Sequence, residues 1–118
     1  MDECVFCKIG RGELTARSVY QNDSVVAFDD ISPQAPVHTL VIPRAHYVSL
    51  SDDVPQAVLG AVFSAVAEVA RIKGVDRTGY RVIVNNGSDA NQTVKHLHVH
   101  VLGGQPMTHG MVNFAERS

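Results

Sequence analysis

The sequence predicts an α+β protein with an antiparallel sheet. One long stretch has apolar residues at helical spacing, whereas four shorter stretches are apolar or alternate apolar with polar residues, as strands do. One helix among four or five strands that need no crossover helices indicates an antiparallel sheet, because parallel pairs are usually connected by such helices. We therefore expect the 118 residues to form a single domain, 1–118, with one helix and a sheet of four or five strands.

The first two predicted strands follow each other closely. Residues 24–28 are apolar and β-branched, and the loop 29–36 contains two prolines, which cannot supply ladder donors. Residues 38–42 alternate, with His38, Leu40 and Ile42 on one face, and Pro43 ends the segment. A histidine therefore stands at the start of the second strand.

A long amphipathic helix is predicted over residues 54–73. Capping candidates Ser51, Asp52 and Asp53 precede it, and Gly74 follows it. Its apolar residues at helical spacing are Val58, Val62, Val66, Val69 and Ile72.

Two further strands are predicted over residues 80–85 and 95–102, and Gly103-Gly104 ends the second of them. The loop between them, 85–93, is rich in side-chain amides, hydroxyls and turn residues. Such a loop could surround a small anion. It leads directly into a strand that carries three histidines.

Composition narrows the possible partners. Ten Lys+Arg against 12 Asp+Glu give a formal charge of -2, so a broad cationic surface for polymeric nucleic acid is not expected. No stretch is apolar for the length of a membrane span, and the N-terminus lacks the basic start and apolar run of a signal peptide. We expect a cytoplasmic protein with no membrane partner.

The histidines at positions 96, 98 and 100 share one face of the predicted strand, and Leu97 and Val99 point to the other. Such a stripe could simply be a polar face turned toward solvent. It could also be a three-histidine metal site, but alternate strand positions are about 6.6 Å apart, so this would need a bent strand. Nucleophilic catalysis is the third possibility, because neutral imidazole can attack phosphorus when its other ring nitrogen is held.

For that chemistry the middle histidine, His98, is best placed. His38 from the neighbouring strand could orient the ring or bind a phosphate oxygen. Asn85 and Thr93 could donate hydrogen bonds to developing charge. The set suits phosphoryl or nucleotidyl transfer.

The run from His96 to Leu102 resembles the histidine triad (HIT) signature, His-φ-His-φ-His-φ-φ, where φ is apolar. Residues 30–38, 40–43 and 85–92 and the Gly-Gly pair resemble the Hint branch, and the likeness extends to about residue 107. It implies the HIT fold: a five-stranded antiparallel sheet, one long helix and a short N-terminal helix. It also implies a homodimer with a continuous ten-stranded sheet. The tail from about residue 108 is expected to be extended.

The resemblance implies hydrolysis of purine nucleoside 5'-phosphoramidates, derived from AMP or GMP, through a nucleotidyl intermediate on His98 and with no cofactor required. Related chemistry on dinucleoside polyphosphates, nucleotidylyl transfer, and a regulatory or scaffold role are the alternatives. The chain has no Trp, which many relatives carry near the C-terminus, so the preferred amine is not predicted. The implied catalytic residues are His98, His100, His38 and Thr93.

The implied nucleotide-binding residues include Asp30, which would bind the ribose hydroxyls; without the resemblance it reads equally well as a helix cap or a turn residue. Asn85 and Gln92 belong to the phosphate loop. The apolar slot for the base, which otherwise reads as ordinary core, comprises Val5, Phe6, Ile9, Phe28 and Ile31.

Cys4 and Cys7 form a C-x-x-C pair, which supplies only two of the four ligands of a structural zinc. Such a pair can also consist of reduced core cysteines or form a redox couple. Resemblance to bacterial Hint-like proteins implies that His46 and His96 complete a zinc site. The sequence therefore offers structural zinc as a hypothesis.

Overall fold

The computed structural model describes residues 4–109 and contains, within them, five strands, two α-helices and a 3₁₀ turn at Ser88–Ala90. The strands form one sheet in the order β1-β2-β3-β5-β4, and every neighbouring pair is antiparallel. This confirms the predicted α+β class with a long and a short helix. In chain order the elements are α1 Val5–Gly10, β1 Ser18–Gln21, β2 Val25–Asp29, β3 Val37–Pro43, α2 Gln56–Ile72, β4 Tyr80–Ile83 and β5 Val99–Gly103.

The two faces of the sheet have separate cores. On one face α2 buries Val62, Val66 and Val69 against strand residues that include Val99 and Val101. On the other face the short helix α1 packs against the sheet; this second core comprises Phe6, Val26, Phe28, Leu40 and Ile42. His98 and His100 lie on the α1 side, since His100 pairs with Leu40 across the ladder.

The predicted start of the long helix is wrong. The helix begins at Gln56, after an N-cap at Pro55 that makes no side-chain cap hydrogen bond. Asp52 instead accepts a hydrogen bond from the backbone of Val48 through Oδ2 (2.9 Å), and Asp53 has a positive φ of 49°. Short polar side chains often satisfy a local turn instead of a helix terminus, and here they do so.

The predicted start of the histidine strand is also wrong. The strand β5 begins at Val99, so His96 and His98 precede it. The amide of Leu97 donates to Tyr47 O (2.7 Å), outside the ladder. Pro43, at the end of β3, has no N–H with which to continue pairing. The chain bends before Val99, which directs His96 away from the other two histidines.

Between residues 4 and 109, neither helix combines the length and the apolar character that crossing a membrane would require. The expectation for the C-terminal tail lies almost entirely outside the described residues.

Candidate functional site

A cavity of about 480 Å³ opens on the α1 face of the sheet, beside the start of β5. Its polar lining includes Asp30, Thr93, His98 and His100. The linker residues 14–17 and Val94 also line it, although no sequence pattern points to them. All five residues predicted for the base slot line its apolar part: Val5, Phe6, Ile9, Phe28 and Ile31.

Phe6 connects the apolar part of the cavity to the histidines. Its ring centroid lies 5.5 Å from that of Phe28 and 5.2 Å from that of His98, edge-on in both cases. It also lies 6.0 Å from the ring of His96. The helix α1 therefore forms one wall of the cavity and packs against the imidazole of His98.

His98 is held in a defined tautomer. Its Nδ1 lies 2.7 Å from the backbone carbonyl oxygen of His96, and a carbonyl can only accept a hydrogen bond. In the neutral ring Nδ1 therefore carries the proton, and the lone pair is on Nε2. The residue is 7% exposed, so packing fixes the ring as well.

A second pair of imidazoles lies beside His98. His38 Nε2 is 2.9 Å from His100 Nδ1, and the ring centroids of His98 and His100 are 5.0 Å apart. Burial lowers the pKa of His100 to about 4, helped by His98 and His38 and opposed by Asp30. Burial also lowers the pKa of His38, again against Asp30. Both rings are therefore neutral at pH 7.

The depressed pKa of His100 makes the fold sensitive to acid. Between pH 6.5 and pH 4 the unfolded chain binds a proton at this position and the folded chain does not, so the free energy of unfolding falls as the pH falls. We expect His100 to account for a loss on the order of 2 kcal/mol between pH 7 and pH 4.5. Urea unfolding at both pH values measures it. His100→Gln should show a smaller loss, and an equal loss would contradict this assignment.

Asp30 combines a turn role with a free oxygen. Its Oδ1 accepts a hydrogen bond from the amide of Ser32 (2.8 Å), the contact expected of a turn aspartate. Its Oδ2 lies 3.5 Å from His38 Nε2, and the side chain is 19% exposed. A ligand hydroxyl in the cavity could therefore still donate to Oδ2.

Three of the residues predicted for catalysis or nucleotide binding do not line the cavity: His38, Asn85 and Gln92. His38 is buried behind His100. The side chain of Gln92 is occupied by backbone groups of its own loop and of the loop after β3. Its Nε2 donates to Val48 O (2.6 Å) and to Val94 O (3.1 Å), while Oε1 accepts from the amide of Gly87 (2.9 Å).

Cys4, Cys7, His46 and His96 form a cluster in which one ligand atom from each lies within 4.8 Å of the others, so they could hold a metal ion. Cys7 Sγ is 3.2 Å from His46 Nδ1, and Cys4 Sγ is 3.4 Å from His96 Nδ1. Burial, and then Cys4, raises the pKa of the Cys7 thiol, so that without a cation this group stays protonated at pH 7.

The tautomer of His96 fits a metal ligand. Its Nε2 donates to the carbonyl oxygen of Pro43 (2.8 Å), which leaves the Nδ1 lone pair directed at the two sulfurs and at His46. Metal-bound histidines usually donate their other N–H in this way.

Asp30, His38 and His100 form a second group whose ligand atoms lie within 4.8 Å of one another. In this group the hydrogen bonds do not fit metal binding, because they put a proton where a ligand lone pair would be needed. The amide of Gln34 donates to His38 Nδ1 (3.0 Å), so the proton of the neutral ring occupies Nε2, the atom that faces the cluster.

Known proteins that are similar to this chain identify its family. Residues 11–107 match the model of the HIT domain family. An uncharacterised HIT-like protein of Azospirillum brasilense is 46% identical over 104 residues, covering 86% of this chain and 85% of that protein.

Two solved structures are also similar. A HIT family hydrolase from Legionella pneumophila has a TM-score of 0.88 at 37% identity, covering 92% of this chain and 98% of that one. A histidine triad nucleotide-binding protein from Candida albicans has a TM-score of 0.79 at 31% identity, covering 90% and 85%. The chain therefore belongs to the HIT domain family.

Proposed function

We propose that this protein hydrolyses purine nucleoside 5'-phosphoramidates through a nucleotidyl intermediate on His98. The hydrogen bond from His98 Nδ1 to the carbonyl of His96 (2.7 Å) carries the proposal. In the neutral ring it puts the lone pair on Nε2, the atom that would act as the nucleophile, and the ring lines the cavity. No deprotonation is needed before attack.

The reaction follows from that geometry in two steps. In the first, the Nε2 lone pair bonds to the α-phosphorus and the P–N bond breaks; its electron pair stays on the amine, which takes up a proton. In the second, water attacks the same phosphorus, releases its proton and frees neutral His98. Thr93 and His100 line the cavity beside His98, where they can donate hydrogen bonds to the phosphoryl oxygens.

The nucleotide part of the substrate would lie along α1 and the end of β2. The slot containing Phe6 and Phe28 offers apolar and aromatic surface to a purine base, and Oδ2 of Asp30 is available to the ribose. The descriptions of the Legionella relative as a hydrolase and of the Candida relative as nucleotide-binding support the same assignment.

Removal of the Asp30 carboxylate is expected to weaken AMP binding by roughly 10- to 100-fold, the loss of hydrogen bonds to a charged acceptor. Calorimetric titration of wild type and Asp30→Ala with AMP measures the change. Titration with 2',3'-dideoxy-AMP is the matched control. Because that ligand has no hydroxyl to donate, the two proteins should bind it about equally; a large difference would place Asp30 elsewhere.

Steady-state turnover of an adenosine 5'-phosphoramidate in the presence of a chelator tests the proposed activity. A guanosine phosphoramidate, ADP and a diadenosine polyphosphate serve as comparison substrates. We expect release of amine and nucleoside monophosphate from the two phosphoramidates only. Preferred cleavage of the polyphosphate would instead indicate another HIT chemistry, and nucleotide binding without turnover would indicate a regulatory role.

We further propose that Cys4, Cys7, His46 and His96 bind zinc, because two thiols and two imidazoles are a common zinc ligand set. Such thiols persist in the reducing cytoplasm, where we place the protein. The ion would supply structural cross-linking and no reaction chemistry. The residues of the cluster would fix the start of α1, a six-residue helix that is too short to be stable alone.

We also propose a homodimer through β4. This strand ends the sheet order, and its side chains Tyr80 and Val82 are each 37% exposed, on the side of the sheet that carries α2. Phe63, on α2, is 44% exposed. A second copy could pair the same edge antiparallel around a two-fold axis, joining two five-stranded sheets into one of ten strands.

A charge on this edge is expected to separate the dimer. Val82→Lys should change the mass measured by light scattering from two chains to one, because the ammonium group would be buried in the interface. Leu50→Lys is the matched control, since Leu50 is 43% exposed and belongs to the loop between β3 and α2, not to the edge strand. A dimer that persists in Val82→Lys would exclude this edge.

A further inference from the structure

We propose that the backbone amide of Gln34, acting through His38, fixes His100 as a neutral imidazole that presents an N–H to the phosphoryl group. His100 would then be a hydrogen-bond donor in catalysis and not the source of the leaving amine's proton. This role deepens the proposed function and rests on it. The tautomer itself is a property of the free protein and can be tested separately.

The positions of the protons on these rings are fixed by a backbone amide, which can only donate a hydrogen bond. The amide of Gln34 lies 3.0 Å from His38 Nδ1 and can only donate. His38 Nδ1 must therefore accept, so the single proton of the neutral ring is on Nε2. Since His38 is 5% exposed, no bulk water competes for this contact.

The proton of the neighbouring His100 ring is fixed in the same way. His38 Nε2 lies 2.9 Å from His100 Nδ1, and with its proton on Nε2 the His38 ring donates there. His100 Nδ1 then accepts, and the proton of His100 must be on Nε2. That atom is buried and has no hydrogen-bond partner among residues 4–109. A buried donor without a partner is costly, so it marks a position where a ligand acceptor belongs.

This series of hydrogen bonds, from Gln34 to His38 to His100, has no place for an additional proton. On His38 it would occupy Nδ1 and face the N–H of Gln34; on His100 it would occupy Nδ1 and face the N–H of His38. The groups that act electrostatically on His100 are His98, His38 and Asp30. Asp30 favours a positive charge, but burial and the other imidazoles outweigh it.

The consequence for catalysis concerns the proton of the leaving amine. If His100 transferred the proton on its Nε2 to the amine, His38 could not supply His100 with another. The neutral His38 ring has only one proton, so it has no second one to pass on. The N–H can instead stay in place and stabilise negative charge on a phosphoryl oxygen in both steps. The amine would take its proton from solvent. His38 is therefore a positioning residue, and the carboxylate of Asp30 is not part of a proton relay.

Nitrogen NMR of the free protein labelled with ¹⁵N-histidine tests the tautomer. At pH 7 we expect a one-bond N–H coupling at His100 Nε2 and none at Nδ1. In His38→Gln, whose amide can still donate toward Nδ1, the pattern should remain. In His38→Leu, an apolar replacement of this buried residue that has no donor, proton occupancy should appear at both nitrogens. A proton on Nδ1 of His100 in the wild type, or an unchanged pattern in His38→Leu, would overturn the inference.

Kinetics give the second readout, with an alkyl-amine phosphoramidate, because a strongly basic amine must take up a proton as it leaves. We expect kcat not to fall between pH 7 and pH 8.5, to be roughly tenfold lower in His38→Leu, and to be largely restored in His38→Gln. A fall in kcat with rising pH across this range would identify His100 as a proton donor and reject the inference. If no substrate turns over, the proposed function fails while the NMR result still decides the tautomer.

Discussion

Alanine at position 98 is expected to abolish phosphoramidate turnover, with kcat at least ~10³-fold below that of wild type. The loss is large because Nε2 of His98 would form the covalent bond to phosphorus, and no neighbouring imidazole can replace it. In the tautomer inferred above the buried Nε2 of His100 carries a proton and has no lone pair for attack, and His38 is buried behind it.

Nucleotide binding should survive this change. The apolar slot and the carboxylate of Asp30 remain when the His98 ring is removed, so the Kd of AMP should change by less than about fivefold. Quenched single-turnover reactions should show a nucleotidyl-protein adduct by mass spectrometry in wild type and none in His98→Ala. A variant that keeps more than about a tenth of the wild-type rate would refute the assignment of the nucleophile.

Replacement of Cys7 by alanine is expected to have the largest effect on stability. The protein should purify with about one equivalent of zinc, and Cys7→Ala with much less. The variant keeps only three of the four ligands, one sulfur and two nitrogens. A ligand present at a thousandfold excess over its Kd stabilises the folded state by about 4 kcal/mol. For a domain of this size that corresponds to a decrease in Tm of roughly 10–15 °C.

Two controls separate metal loss from side-chain loss. Lys8→Ala alters the same short helix without removing a ligand, so it should keep its zinc and its Tm. A strong chelator should lower the Tm of wild type to near that of Cys7→Ala and leave the variant unchanged. Equal metal content in Cys7→Ala and wild type would exclude the cluster as the site.

Side-chain patterns predict the elements with strong periodicity but not their ends. The alternation of apolar and polar residues continues from residue 95, yet pairing begins only at Val99. Pairing depends on the partner strand, where Pro43 has no N–H to give. The first strand, Ser18–Gln21, has no pattern strong enough to identify it, because it is short and none of its residues is fully buried.

The cavity residues are predictable mainly through family resemblance. Val5, Phe6 and Ile9 look like ordinary core residues in the sequence, since periodicity cannot tell a side chain that faces a cavity from one that faces another side chain. The tautomers are beyond prediction from sequence, because they depend on backbone groups of Gln34, Pro43 and His96 that only the folded chain brings into contact.

His96 contributes to two different sites: its ring faces the cysteines, and its carbonyl oxygen accepts a hydrogen bond from His98. These two tasks are chemically separate, because every amino acid carries a backbone carbonyl and only a few carry a metal-binding side chain. A descendant of this chain could therefore lose both cysteines, and then the imidazole at position 96, without losing the group that orients its nucleophile. The proposed metal site and the proposed chemistry can change independently in evolution, although they meet in one residue.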